Sequence, residues 1–179
     1  MKRFIFIAIS LLISSFLFSQ QTYDLDFVQT KVIKLSGKTT EKAGHLTFDG
    51  VDQLSMVYSN PEGEYFNIEG SLVKVNLDGK KAELNADKVK MVRLQRSTLL
   101  NCLSGNWEQA ATDNNAESSV VEKGANKVVT LTAKKAAPRG YSKIIITYRK
   151  SDNLTLEMVL EEFNGNITTI KLSNIVNKK

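Results

Sequence analysis

Residues 85–107 read NADKVKMVRLQRSTLLNCLSGNW, and the interpretation of the whole chain depends on this stretch. It is the one long segment beyond the first twenty residues whose apolar side chains follow helical spacing, and strand-like segments lie on both sides of it. On a helical wheel one half of the segment is largely apolar. That half carries Val89, Met91, Val92, Leu99, Leu100, Cys102 and Leu103. We therefore expect a helix that packs against a β-sheet.

The predicted helix has two alternative forms and two alternative roles. Lys88 and Arg96 fall on the apolar half, so the segment forms either one helix or two, with Ser97 as the cap of a shorter second helix. Gly105 is typical of a residue that ends a helix. The helix either closes one end of a filled core or acts as a movable lid over an apolar pocket, and both roles stay open at this point.

The segments around the helix alternate between apolar and polar residues and are separated by tight turns, a pattern typical of antiparallel strands with one apolar face. Asn60-Pro61-Glu62-Gly63 is a strong turn signal, and Asn164-Gly165 predicts a hairpin. Residues 37–42 are predicted as a turn and residues 108–116 as a loop. About ten strands are predicted, at residues 26–35, 44–49, 53–59, 64–69, 72–77, 119–122, 127–133, 141–149, 154–160 and 167–174. We expect a mainly β (α+β) chain, with one curved antiparallel sheet and a helical element against its concave face.

The first twenty residues are typical of an export signal. Lys2 and Arg3 precede an apolar run that ends at Phe18, which is short for a membrane span, and cleavage is expected near residues 19–21. Residues 21–179 are then expected to form one soluble domain outside the cytoplasm. Loss of the two basic residues lowers the net charge from +5 to +3. This charge is too small and too scattered to predict a nucleic-acid partner.

The sequence contains no recognisable catalytic or metal-binding motif. His45 is the only histidine, the carboxylates lack metal-ligand spacing, and neither a nucleophile elbow nor a phosphate-binding loop is present. Strand alternation places His45 on the solvent side. Cys102, the only cysteine, lies among leucines and is expected to be a buried small hydrophobe rather than a reactive thiol. We therefore predict neither an enzyme nor a bound cofactor.

Several motifs in this order resemble those of a known family. They are the F-x-Q opening at Phe27-Val28-Gln29, the G-x-L-x-F strand at residues 44–48, the segment LSMVYSNPEGEYFNIEG at residues 54–70, and the run LEMVLEEFNGNITTIKLSNIVN at residues 156–177. Together, behind an export signal, they resemble the periplasmic outer-membrane lipoprotein carrier proteins, LolA-like, in a form associated with Bacteroidetes-type bacteria. The resemblance covers nearly all of residues 21–179.

The resemblance implies an incomplete antiparallel β-barrel whose mouth is covered by helices. It also implies a monomeric periplasmic carrier that takes an acylated lipoprotein from an inner-membrane release complex, holds the acyl chains in an apolar pocket, and passes it to an outer-membrane acceptor. Alternation and resemblance together predict the lipid-binding residues. These are Leu46, Phe48, Leu54, Met56, Tyr58, Phe66, Ile68, Val89, Val92, Leu99, Leu100 and Leu103. Two alternatives remain, namely a carrier of another lipid or glycolipid, and an envelope-stress sensor that binds a protein partner with the same half-barrel.

The chain departs from the family pattern at one position. Well-studied members carry an arginine, in the loop after the G-x-L strand, that bonds to the lid, whereas residues 49–52 here read Asp-Gly-Val-Asp. A reversed arrangement is one hypothesis, in which Arg93 or Arg96 of the predicted helix pairs with Asp49 or Asp52.

Overall fold

A computed structural model describes residues 22–136 and 139–173 of the chain. The predicted export signal, its cleavage site and residues 174–177 of the last motif lie outside the described residues. The described part forms eleven strands and two helices. They are β1 Tyr23–Val32, β2 Thr39–Phe48, β3 Gln53–Asn60, β4 Glu62–Glu69, β5 Leu72–Leu77, β6 Lys80–Asn85, α1 Lys90–Leu103, α2 Trp107–Asp113, β7 Ala116–Lys123, β8 Asn126–Ala133, β9 Tyr141–Arg149, β10 Thr155–Glu162 and β11 Ile167–Ser173.

All eleven strands belong to one antiparallel sheet in the order β6-β5-β4-β3-β2-β1-β11-β10-β9-β8-β7. The first and last strands of the chain, β1 and β11, pair with each other in the middle of the sheet. The two strands that flank the helices in sequence, β6 and β7, lie at the opposite edges and do not pair with each other. The sheet is therefore curved but not closed, which confirms the predicted incomplete barrel.

The core lies on the concave face, because the apolar residues of each strand alternate with polar ones and face the same side. On β3, Leu54, Met56 and Tyr58 are buried, whereas Val57 between them is exposed. The buried side chains of α1 and α2 belong to the same cluster. The helices therefore cover the concave face and leave the convex face to solvent.

Two predictions about individual segments are wrong, and one strand was missed. Residues 108–116, predicted as a loop, contain most of α2, because the good helix formers Glu108, Gln109 and Ala110 outweigh the general polarity of the segment. The predicted turn at residues 37–42 overlaps the start of β2. Strand β6 was not predicted, because its residues are mostly charged and exposed and show no apolar alternation.

Residue Gly105 and the bulge at Gly44 show where the backbone depends on glycine. Gly105 follows the last turn of α1 with a φ of +78°, so the predicted stop signal is confirmed. A Cβ atom on Gly44 would lie 2.2 Å from the carbonyl oxygen of Val57, at the point where the register of β2 and β3 shifts.

Candidate lipid-binding site

Most of the predicted lipid-binding residues meet in a single buried cluster between the sheet and the helices. Ten of the twelve are at most 9% exposed. They are Leu46, Phe48, Leu54, Met56, Tyr58 and Ile68 from the sheet and Val92, Leu99, Leu100 and Leu103 from α1. The structure therefore places α1 directly over the apolar strip of the concave face, with the two surfaces packed against each other.

The two other predicted residues lie at the margin of this cluster. Phe66 is partly buried against it. Val89 is 41% exposed, and it immediately precedes α1 with an extended backbone. Helical spacing placed Val89 with the apolar face, but the helix begins one residue later.

Helix α1 is one continuous helix, so Ser97 does not begin a second one. Its buried residues are unevenly distributed, because five of the six lie between Thr98 and Leu103 and only Val92 lies in the first half. The C-terminal half of α1 is therefore packed, while the N-terminal half is held more loosely.

The C-terminal end of α1 is fixed to the sheet by buried hydrogen bonds. The last carbonyls of a helix have no partner within it. Here the Cys102 carbonyl accepts hydrogen bonds from Tyr148 Oη at 2.9 Å and from Thr155 Oγ1 at 3.0 Å. All three residues are fully buried, so these bonds join the end of α1 to β9 and β10 where water cannot compete.

A second attachment lies in the middle of α1. Arg96 Nε donates a hydrogen bond of 2.5 Å to the carbonyl oxygen of Gly70, in the turn between β4 and β5. The hypothesis that an arginine of this segment pairs with Asp49 or Asp52 is wrong in its partner. Asp49 instead accepts hydrogen bonds from three backbone amides of its own loop. Arg96 lies on the apolar half of the helix because its guanidinium reaches this carbonyl.

Helix α2 braces α1 through polar side chains. Ser97 Oγ donates to the carboxylate of Asp113, and Asn114 Nδ2 donates to Thr98 Oγ1 at 2.8 Å. Thr98 is buried, so the second contact also satisfies a polar group inside the core. The polar residues of the predicted loop therefore hold the covering helix in place, which the sequence pattern did not indicate.

A cavity of about 370 Å³ lies beside the loosely held half of α1. It opens between this half and the ends of β9 and β10, which carry both apolar and polar side chains at this point. The lining residues are Met91, Gln95, Arg139, Gly140, Tyr141, Glu162, Phe163 and Asn164. Burial raises the pKa of Tyr141 to about 12, so its hydroxyl stays protonated at the edge of this cavity.

The same end of the concave face carries a charged network. Lys42 Nζ lies 2.5 Å from Glu64 and 2.8 Å from Asp78, and its charge also lies over the ring of Tyr58. Burial favours a lower pKa for Lys42, but the hydrogen bonds with the two carboxylates outweigh it and raise the pKa. Tyr58 donates to Gln29 at 3.0 Å. The apolar strip therefore ends at a polar rim on this side.

Two residues considered for chemistry have ordinary surroundings. Cys102 is fully buried on the underside of α1, and burial raises the pKa of its thiol to about 12. His45 lies on the convex face, as predicted, where its two ring nitrogens contact Asp24 and Asp26. Within residues 22–136 and 139–173, no group of three or more side chains has the arrangement of a metal site. Neither described helix has the length and apolarity needed to cross a membrane.

Comparison with known proteins gives one family match and several distant structural likenesses. No curated protein sequence matches the chain. A LolA superfamily protein from Nitrosomonas europaea is 8% identical, with a TM-score of 0.41 over 90% of this chain and 88% of its own. The Pseudomonas aeruginosa MucA/MucB complex contains a chain that is 12% identical, with a TM-score of 0.47 over 90% of this chain and 53% of its own. The lipoprotein LppX of Mycobacterium tuberculosis is 12% identical, with a TM-score of 0.37 over 89% and 87%.

The family match is of a different kind, because it rests on a sequence model of the whole family. The model described as "Outer membrane lipoprotein carrier protein LolA" matches residues 19–179. This range includes every described strand and both helices. The chain therefore belongs to the LolA family of outer membrane lipoprotein carrier proteins.

Proposed function

We propose that this protein is a non-enzymatic periplasmic carrier, formed by residues 21–179, that holds the acyl chains of lipoproteins between α1 and the concave face of the sheet. The observation that carries the proposal is the continuous apolar strip of the concave face, covered by a helix whose buried residues lie almost entirely in its second half. The predicted lipid-binding residues are assigned to this strip and to the underside of α1. The route of transfer runs from an inner-membrane release complex to an outer-membrane acceptor.

Loading occurs by displacement of the N-terminal half of α1. The Cys102 carbonyl stays bonded to Tyr148 and Thr155, so the C-terminal end acts as the pivot. The cavity beside Met91 and Gln95 is the entrance, since it already separates this half of the helix from the ends of β9 and β10. Acyl chains then occupy the place of the helix against the strip.

Displacement explains how the carrier releases its cargo. Each buried methylene of an acyl chain contributes about 0.8 kcal/mol. Part of this gain is offset, because the displaced half of α1 loses the burial of Val92 and the hydrogen bond from Arg96 to Gly70. The net binding free energy is therefore smaller than the burial alone suggests, and a membrane-bound acceptor can compete for the cargo.

The test is native mass spectrometry, with lipid extraction, of the protein co-expressed with an acylated lipoprotein from the same organism. We expect a one-to-one complex that disappears when the acylated cysteine of the cargo is replaced by serine. Retention of the unacylated cargo would instead favour a protein-binding sensor, and recovery of a different lipid would favour the alternative carrier.

A pair of variants on β4 connects this complex to the concave face. Phe66→Glu places a charge on the apolar strip and should abolish acyl binding. Tyr65→Glu is the matched control, because the neighbouring residue of a strand faces the opposite side. Equal loss of binding in both variants would contradict the proposed site.

A further inference from the structure

The two edges of the open sheet differ in how strongly they discourage pairing with another strand. An unpaired edge strand exposes backbone N–H and C=O groups that can bind a further strand, and natural sheets usually block such edges with charges, proline or short length. Strand β6 has six residues and begins with Lys80 and Lys81. Strand β7 has eight residues, reads AESSVVEK, and has no charge or proline across Ser118–Val121.

The free hydrogen-bonding groups of β7 can be assigned from its pairing with β8. The amide of Lys134 donates to the carbonyl of Asn115, one step beyond the paired residues Ala116 and Ala133. Directly opposed pairs in an antiparallel ladder alternate between bonded and non-bonded. The odd-numbered residues of β7 therefore bond to β8, and the even-numbered residues direct their N–H and C=O groups outward. These even-numbered residues include Ser118, Val120 and Glu122.

This assignment restricts how β7 can pair with a second copy of itself. An outward group can only meet another outward group, so even-numbered residues must face even-numbered residues. The register centred on Val120 pairs residues 117–123, which are seven of the eight residues of the strand. It places Val120 opposite Val120 of the partner copy, and it places Glu117 opposite Lys123 twice, once on each side of the two-fold axis.

The side chains of β7 suit this register. Val120 and Val121 are 45% and 51% exposed, so both are free to contact a partner strand. Glu117 and Lys123 are exposed, and neither forms an ion pair with any other residue in the described part of the chain. Opposite charges directly across a strand pair are stabilising, whereas like charges there are destabilising. The two registers displaced by one step in either direction lose both Glu117–Lys123 pairs.

We propose that two copies of this chain associate through β7, edge to edge and antiparallel about Val120. The two sheets then form one continuous sheet that contains the 22 described strands. A single strand pair is smaller than the ~1,200 Å² typical of stable interfaces, so the dimer is weak and depends on protein concentration. This proposal departs from the monomer expected from the sequence, and it is independent of what the concave face binds.

Sedimentation velocity of the whole protein from about 1 µM to about 1 mM tests the proposal by charge reversal. We expect a monomer–dimer equilibrium in the wild type. Glu117→Lys and Lys123→Glu should each weaken dimerisation by about tenfold, because each replaces two attractive pairs by two repulsive ones. The double variant E117K/K123E restores opposite charges and should dimerise like the wild type. None of these changes affects a buried residue, so folding is preserved.

A backbone variant provides an independent measurement. Val120→Pro removes an outward N–H without removing a bond to β8, and it should abolish dimerisation while retaining the melting temperature to within a few degrees. Val121→Thr, which keeps every backbone donor, is the matched control and should still dimerise. A wild type that is monomeric at about 1 mM overturns the proposal, as does a dimer that tolerates Val120→Pro or fails to respond to the charge reversals. Association with a different protein by a monomeric wild type also overturns it.

Discussion

Protonation of His45 makes the stability of the folded state depend on pH. Its ring contacts Asp26, the residue directly opposite on β1, and Asp24. The hydrogen bond with Asp26 is the largest cause of a pKa above the usual 6.5, partial burial opposes it, and Asp24 adds to it. The protonated ring therefore stabilises the folded state. This contribution is complete below pH 6.5 and is lost as the pH rises through the raised folded-state pKa.

We predict that His45→Gln removes a pH-dependent part of the stability. The wild type should be more stable than the variant in mildly acidic solution, and the difference should shrink as the pH rises above 6.5. Urea unfolding at a series of pH values measures this difference. A constant difference across the series would show that the carboxylates do not retain the proton on His45.

Tyr148 and Thr155 both donate a hydrogen bond to the same carbonyl oxygen, that of Cys102 at the end of α1. Tyr148→Phe should lower the free energy of unfolding by about 1 kcal/mol, since the other donor still satisfies the carbonyl. Thr155→Val should behave similarly. The double variant leaves a buried acceptor with neither donor, so its loss should exceed the sum of the single losses. Thermal unfolding of the three variants measures this coupling, and additive losses would mean that water or the backbone replaces the donors.

At the scale of the elements, the N-terminal half of α1 is the part that should move. Arg96→Gln removes the contact with Gly70 and should increase the rate at which a thiol reagent modifies a cysteine introduced at Val92, in a Cys102→Ala background, by about twofold to tenfold. Val92 is a suitable position for the reporter because it is the buried residue of the N-terminal half of α1. Arg93→Gln is the control, since Arg93 is exposed on the same helix. Equal rates in both variants would show that Gly70 does not hold the helix closed.

The elements also show what the sequence was able to predict. Helix α1 and strands such as β3 and β9 were found because apolar residues at a fixed period report which face is buried. Strand β6 and helix α2 were missed for a common reason. Each is too short to show an apolar period: β6 has six residues that are mostly exposed, and the buried side of the seven-residue α2 consists mainly of Ala110 and Ala111.

The candidate site was predictable only on its apolar side. Burial follows from alternation, so Leu54 or Leu100 could be assigned to the interior from the sequence. The polar contacts of α1 depend on which segments, distant in sequence, meet in the fold. The spacing of residues along the chain does not identify these segments. The helical wheel showed Arg96 as a charged residue on the apolar half of the helix. Its partner is a backbone carbonyl, which no pattern of residue types identifies.

At the scale of the whole molecule, the depth of the apolar strip should limit which acyl chains bind tightly. From Leu54 to Tyr58 the strip spans about 14 Å, at ~3.4 Å per residue, before the charged network around Lys42 begins. We predict that fatty-acid affinity rises roughly fourfold per added methylene, equivalent to about 0.8 kcal/mol, until the extended chain exceeds this span. Displacement of a fluorescent fatty acid by a series of chain lengths measures the trend. Affinity that keeps rising well beyond that length would place the chains elsewhere.

Strands β6 and β7 are not hydrogen-bonded to each other, and this affects the size of the pocket on the concave face. In a closed barrel the number of strands and their stagger determine the diameter, so the interior has one size. Here the two edges are unconnected, and the curvature of the sheet is free to adjust without breaking a single backbone hydrogen bond. We therefore expect the pocket on the concave face to widen as more acyl chains are bound. Cargoes bearing different numbers of acyl chains can then share one carrier.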